Sequence, residues 1–257
     1  MRAKSLDYHP DPFKTHRWHD RFTRWGGQRN VYSRLGALLQ HYDFRDKKIL
    51  DLGCNRGFYA FSLALRGAKS VVAVDGDKEL INQNEEMAKK KNIQNILFLN
   101  KKITVEEIQP FSKFDVVLFL SVLHHIMVGT PELYPFNSEG KDIAYAVELL
   151  KEIARHTDCL FFEMGQSDEF ADWAARLPRM EPSAAIWISE HLLKPAGFLQ
   201  ITIIEPPEWE GFNGKIRKFL RKYLSSTLDS QHLAGRLLRR IFNYHQADRR
   251  ILFLASK

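Results

Sequence analysis

The chain has 257 residues, 44% hydrophobic and 27% charged, which is enough for one large domain with a full core and excludes a disordered or fibrous protein. Two cysteines, Cys54 and Cys159, exclude a disulfide framework and lack the spacing of a zinc site, and the ten histidines are scattered apart from His124 and His125. The net charge of +7 is local: residues 213–243 hold eight basic residues against Asp229 alone, leaving the rest of the chain balanced.

The leader MRAKSLDYHPDPFKTHRWHD is polar and broken by prolines, without a signal-peptide stretch, and no later run approaches the length of a membrane span. A cytoplasmic protein is expected. RNVYSRLGALLQHYDF spaces Val31, Leu35, Leu38 and Leu39 as a helix does, and KKILDLG reads as a buried strand ending in a glycine turn. FYAFSLALRGA then predicts a packed helix ending near Gly67, SVVAVDGD a second strand, and KELINQNEEMAKKKN an amphipathic helix. NILFLN and FDVVLFLSVL follow as strands three and four, KDIAYAVELLKEIARH as a helix, and DCLFFEM as strand five. A helix around SAAIWISEHLLKPAG, a sixth strand LQITIIE and a last strand RILFLAS complete the pattern.

Strands alternating with helices imply an α/β fold, a parallel sheet covered on both faces. The chain divides as one domain: an N-terminal helical cap over 1–47, a Rossmann-like core over 48–204, a basic helical insertion over 205–248 and the last strand over 249–257. Within the insertion, Ile216, Phe219, Leu220, Tyr223 and Leu224 form one apolar stripe with basic residues between them. That pattern has three readings: a helix packed on its own domain, an interfacial helix on anionic lipid, or a surface for RNA phosphates. The second would place the protein at the inner face of the membrane.

In such sheets a ligand lies outside the carboxyl ends of the strands at the switch point. The first turn, DLGCNRG, spaces its glycines G-x-x-x-G, which is neither a complete dinucleotide fingerprint nor a P-loop. Asp51 would repel a pyrophosphate but can accept hydrogen bonds from an ammonium. Asp75, 24 residues on at the end of the second strand, stands where a carboxylate binds ribose hydroxyls. An ammonium together with a nucleoside describes S-adenosyl-L-methionine. The plain structural alternative is that both acids are turn residues and the glycines only end strands.

Residues 48–126 resemble the class I S-adenosylmethionine-dependent methyltransferases, whose D-x-G-x-G-x-G motif appears as Asp51, Gly53, Asn55 and Gly57, with Asp75 as the ribose acid and FDVVLFLSVLHHI as the fourth-strand motif. The middle glycine is replaced by Asn55, a residue that tolerates left-handed angles. The resemblance implies seven strands, the last antiparallel, and a cofactor set that adds Cys54, Phe58, Gly76, Ile103 and Ser121. Ile103 either packs on adenine or belongs to the core.

A narrower resemblance, carried by RNVYSRL, SVLHHI and LFFEMGQSDEF, is to the methyltransferase half of the bacterial methyltransferase-kinases that cap polymannose O-antigen. The RNA γ-phosphate-capping methyltransferases share the GCN-x-G form of the loop. Both imply a phosphate oxygen as acceptor. No kinase pattern follows here, so methylation alone is expected. By this resemblance Arg29 pairs with the cofactor carboxylate; a solvated helix-end arginine is the alternative for Arg29 and Arg34 alike.

His124 and His125 follow the fourth strand, where one could take a proton from a hydroxyl acceptor or, as a cation, hold an anionic one. Packing and turn capping are their structural alternative. Glu163 is a candidate for the pocket wall or for support of a histidine. The expected partners are an anionic small molecule or glycan, with RNA or an anionic membrane surface reached through 213–243. An RNA methyltransferase is the rival enzyme, although no N-P-P-Y signature stands at the fourth strand. A non-catalytic protein that binds the same cofactor is the rival from another class.

Overall fold

The computed structural model describes residues 31–128, 143–164, 183–204 and 251–257. Helix α1 (Val31–His41) precedes a regular alternation: β1 (Lys48–Leu52), α2 (Phe58–Ala64), β2 (Ser70–Asp75), α3 (Lys78–Lys90) and β3 (Ile96–Asn100). Two short helices absent from the sequence reading follow, α4 (Val105–Ile108) and, after β4 (Val116–Leu120), α5 (Leu123–Val128). Then come α6 (Ile143–His156), β5 (Cys159–Met164), α7 (Ser183–Ile188), β6 (Gln200–Ile204) and β7 (Ile251–Ser256).

The seven strands form one sheet in the order β3-β2-β1-β4-β5-β7-β6. Strands β1 to β5 run parallel, while β7 lies between β5 and β6 and is antiparallel to both. The expected α/β sheet with a last antiparallel strand is therefore what the chain forms. Its order reverses between β1 and β4, which opens the ligand crevice at their carboxyl ends.

Alternate residues of each strand serve opposite faces, and the core divides accordingly. Leu50, Leu52, Val117 and Phe119 pack with α5, α6 and α7. Ile49, Val116, Leu118 and Phe161 pack with α1, α2 and α3. By the same alternation Asp51 and Glu163 lie on the second face, under α1 and α2.

Local signals set the helix positions. Asp77 caps α3, its Oδ1 accepting from the N–H groups of Glu79 (2.9 Å) and Leu80 (3.1 Å), and Lys89 and Lys90 lie in the last turn. Thr104 caps α4 in the same way. Arg29, the leader and residues 205–248, including the basic cluster, lie outside the described residues.

Candidate active site

The β1–α2 turn is built from three left-handed residues, Gly53 (φ 80°), Asn55 (φ 48°) and Gly57 (φ 70°). Gly53 and Cys54 donate their N–H groups to Val74 O at 2.8 and 2.9 Å, which holds the turn against β2. A Cβ on Gly53 would lie 2.3 Å from Val122 Cγ2, and one on Gly57 2.9 Å from the Phe61 ring. The backbone can approach a neighbour or ligand this closely only because no side chain is present. Asn55 takes its left-handed angle while its side-chain Oδ1 accepts from Arg56 N–H at 2.8 Å. Arg56 itself is exposed.

Removing that side chain should cost little, because glycine adopts the angle freely. Asn55→Gly is expected to change unfolding free energy by less than about 1 kcal/mol, whereas Asn55→Val should cost about 1–3 kcal/mol. Urea denaturation of the two variants checks the difference.

Asp75 holds this turn from the end of β2. Its Oδ2 accepts from Asn55 N–H at 2.8 Å and its Oδ1 from Asp77 N–H at 3.0 Å. Burial raises its pKa above the ordinary value, and the N–H groups of Asp77 and Asn55 oppose that shift. Each carboxylate oxygen has a second acceptor direction, so ribose hydroxyls can be accommodated beside the loop bonds. Gly76 follows at the partly open β2–α3 turn.

Asn84 of α3 also enters the loop, donating from Nδ2 to Asn55 O at 2.7 Å. The sequence reading missed it. It stands on the buried stripe Ile81, Asn84, Ala88, and an amide on the apolar face of an amphipathic helix was the available signal.

Asp51 is 3% exposed, and its Oδ2 has no hydrogen-bond partner among the described residues. Burial, reinforced by the charge of Asp75, pushes its pKa up to about 7, against the Ala60 N–H, which lowers it. A buried carboxylate oxygen without a donor is costly, and an arriving ammonium would satisfy it. Cys54 is buried beside it, and burial raises its thiol well above the ordinary range, so it is a packing residue without thiolate character. Phe58 is fully covered, meeting Tyr32 of α1 edge-on at 5.1 Å between ring centres. Ile103 is 1% exposed and packs in the same core cluster as Val74 and Val122.

A second group faces the loop from β4 and β5. Ser121 adopts φ 60°, donates its N–H to Glu163 O at 3.0 Å and its hydroxyl to Glu163 Oε1. Arg34 of α1 completes the set, with Nε 2.5 Å from Glu163 Oε2. The charges of Arg34 and Glu163 also act on Tyr59, whose pKa burial pushes up to about 12. Glu163 thus directs its two oxygens to Ser121 and Arg34. The sequence leaves Arg34 open between a grip on the cofactor carboxylate and a solvated arginine; the structure pairs it with Glu163, which anchors α1 to the sheet.

The histidines occupy α5, with ring centres 4.0 Å apart and planes tilted by 38°. His124 is 6% exposed, while His125 is exposed. The structure therefore distinguishes the two rings by burial: His124 is covered and His125 reaches the surface. Among the described residues no group of three or more metal-ligating side chains occurs.

A family profile described as "Methyltransferase domain" matches residues 43–133, which span β1 to α5 and hold the glycine turn, Asp75 and both histidines. Over these residues the chain is similar to methyltransferase domains. The O-antigen chain terminator bifunctional methyltransferase/kinase WbdD of Escherichia coli is 31% identical over 160 residues, covering 56% of this chain and 22% of that protein. The ubiquinone biosynthesis O-methyltransferase of Rickettsia bellii is 33% identical over 93 residues, 36% of this chain and 37% of the relative. The tRNA U34 carboxymethyltransferase of Actinobacillus succinogenes is 33% identical over 84 residues, 32% of this chain and 25% of the relative.

Solved structures agree on the methyltransferase fold. A WbdD structure superposes with a TM-score of 0.55 at 24% identity, covering 76% of this chain and 35% of that one. The YcgJ protein of Bacillus subtilis superposes with a TM-score of 0.51 at 17% identity, covering 89% of this chain and 99% of that one.

Proposed function

We propose that this chain is an S-adenosylmethionine-dependent methyltransferase acting on an oxygen of a phosphorylated or glycan-like acceptor. The observation that carries the cofactor is the pairing of Asp75, fixed to the glycine turn through Asn55 N–H at 2.8 Å, with the buried, donor-free Oδ2 of Asp51. The left-handed turn and these two acids suit a ligand with ribose hydroxyls at one end and an ammonium at the other. Bound there, the cofactor supplies an electrophilic methyl group on sulfur, which passes to the acceptor oxygen as the carbon–sulfur bond breaks.

The chain's own contribution is orientation and charge placement. Asp75 accepts the ribose hydroxyls, Asp51 the ammonium, and the backbone of the turn approaches between them. An anionic phosphate oxygen needs no base, and exposed His125, protonated, would attract it. A hydroxyl acceptor would instead give its proton to neutral His125. The similarity to an O-antigen chain terminator favours a glycan-linked acceptor. The eight basic residues in 213–243 favour an anionic one, and with the tRNA-modifying relatives they supply the reason to keep RNA as the second reading.

Transfer of labelled methyl from S-adenosylmethionine to fractionated cell extract tests the proposal. Label in nuclease-resistant, glycan-containing material is the expected result. Label in nuclease-sensitive material would establish the RNA reading, and no transfer despite tight binding would favour a non-catalytic cofactor-binding protein.

The raised pKa of Asp51 predicts a pH dependence. Below about 7 the free protein holds Asp51 protonated, and the cofactor ammonium selects its anion. Binding at pH 6 should therefore release up to one proton, and affinity should rise with pH until it levels above about 7. The same group makes the free protein less stable as pH rises from the ordinary carboxylate range through about 7, because the native state binds the extra proton there. Calorimetry in buffers of different ionisation enthalpy measures the proton count, and Asp51→Asn should remove it.

A further inference from the structure

The turn after β4 is tied to three other parts of the crevice. Ser121 is anchored to Glu163 through its N–H (3.0 Å) and its hydroxyl, although φ 60° is an uncommon conformation for serine. The next residue, Val122, is in the space that a Gly53 side chain would fill, 2.3 Å from the Cβ position. His124 and His125 stand two and three residues further on. On its other oxygen Glu163 holds Arg34, whose side chain is 10% exposed, and Arg34 belongs to the helix that covers Phe58 through Tyr32. A continuous set of contacts thus runs from α1 through Arg34, Glu163 and Ser121 to Val122 at the glycine turn.

Both carboxylate oxygens of Glu163 are engaged in this set, and its side chain is 2% exposed, so its geometry is that of a brace. We propose that Glu163 is a positioning residue that registers the histidine-bearing turn and helix α1 against the cofactor cradle. This rests on the reading of the crevice as a cofactor site. Its two arms predict separable effects. The Ser121 arm fixes the left-handed residue two positions before α5, and so the placement of both histidine rings. The Arg34 arm holds α1 over the first turn of α2. Losing it takes the Glu163 charge away from a largely covered guanidinium and loosens the cover of the cradle.

The test uses the full chain labelled with 13C in its histidine rings, with the His124 and His125 resonances assigned by single replacement. Ser121→Ala is expected to move both resonances while the protein stays folded by circular dichroism. Glu163→Gln keeps an acceptor for Ser121 but loses the ion pair. It should leave the histidine resonances near their wild-type positions and weaken S-adenosylmethionine binding by about tenfold in calorimetry. Glu163→Leu, losing both arms, should do both.

If Ser121→Ala does not fold, Ser121→Gly, which accepts φ 60° without strain, gives the same readout. Unmoved histidine resonances in a folded Ser121 variant would overturn the coupling to the turn. Wild-type affinity in folded Glu163→Gln would overturn the coupling to the cradle. Absence of cofactor binding by the wild type would end the cofactor reading instead, and the histidine resonances would still decide whether Glu163 sets the turn.

Discussion

Asp75→Ala is expected to weaken S-adenosylmethionine binding by at least about 100-fold, the largest loss for any single side chain of the cradle. Two effects add. The carboxylate accepts from Asn55 N–H at 2.8 Å and from Asp77 N–H at 3.0 Å, so its removal leaves the donors of two turns without their acceptor. In the proposed reading the same carboxylate accepts the ribose hydroxyls. Hydrogen bonds to a charged group are worth about 1.5–3 kcal/mol each, so losing the ligand contacts together with the shape of the loop reaches 100-fold without further assumptions. Asp75→Asn retains one acceptor oxygen and should fall between wild type and Ala. Calorimetric titration measures all three, and an alanine variant that binds within about threefold of wild type would remove Asp75 from the site.

Gly53→Ala carries the second large effect, on stability as well as binding. The residue has φ 80°, and its new methyl group would sit 2.3 Å from Val122 Cγ2. A left-handed alanine costs about 1–2 kcal/mol and the overpacking about 1–3 kcal/mol more, for a total of about 2–5 kcal/mol. Gly67 separates the two terms, because it has φ 91° but its nearest contact to an added Cβ is Arg45 Cγ at 3.8 Å. Gly67→Ala should therefore show only the backbone cost. Adding Val122→Ala to Gly53→Ala removes both γ-carbons that collide and should recover part of the stability. A lack of recovery in denaturant melts would mean that the turn after β4 does not rest on the glycine loop.

The sheet was legible in the sequence because its strands are short apolar runs separated by helices of clear period, and KKILDLG and FDVVLFLSVL are buried on both faces as such runs require. The loop was legible for a similar reason. Gly53, Gly57 and Asp75 act through backbone angles and strand ends, which local sequence encodes. The short helices α4 and α5 escaped the reading because four and six residues carry too little periodicity to register.

The brace around Glu163 was hidden for a different reason. Arg34, Ser121 and Glu163 lie far apart along the chain and meet only after α1 docks and β5 joins β4, with Leu120 opposite Glu163 in register. Nothing local marks Arg34 as the partner of a buried acid. Spacing likewise placed both histidines near the crevice but could not distinguish the covered His124 from the exposed His125, since both follow from the direction in which α5 leaves the strand.

The central claim is that the crevice between β1 and β4 binds S-adenosylmethionine through Asp51 and Asp75. Titration of the full chain with S-adenosylmethionine at pH 8, where Asp51 is ionised, tests it most directly. One ligand per chain is predicted, with affinity lost in Asp75→Ala and lowered as pH falls below about 7 in the wild type but not in Asp51→Asn. No binding by the folded wild-type protein, or binding indifferent to both acids, would contradict it.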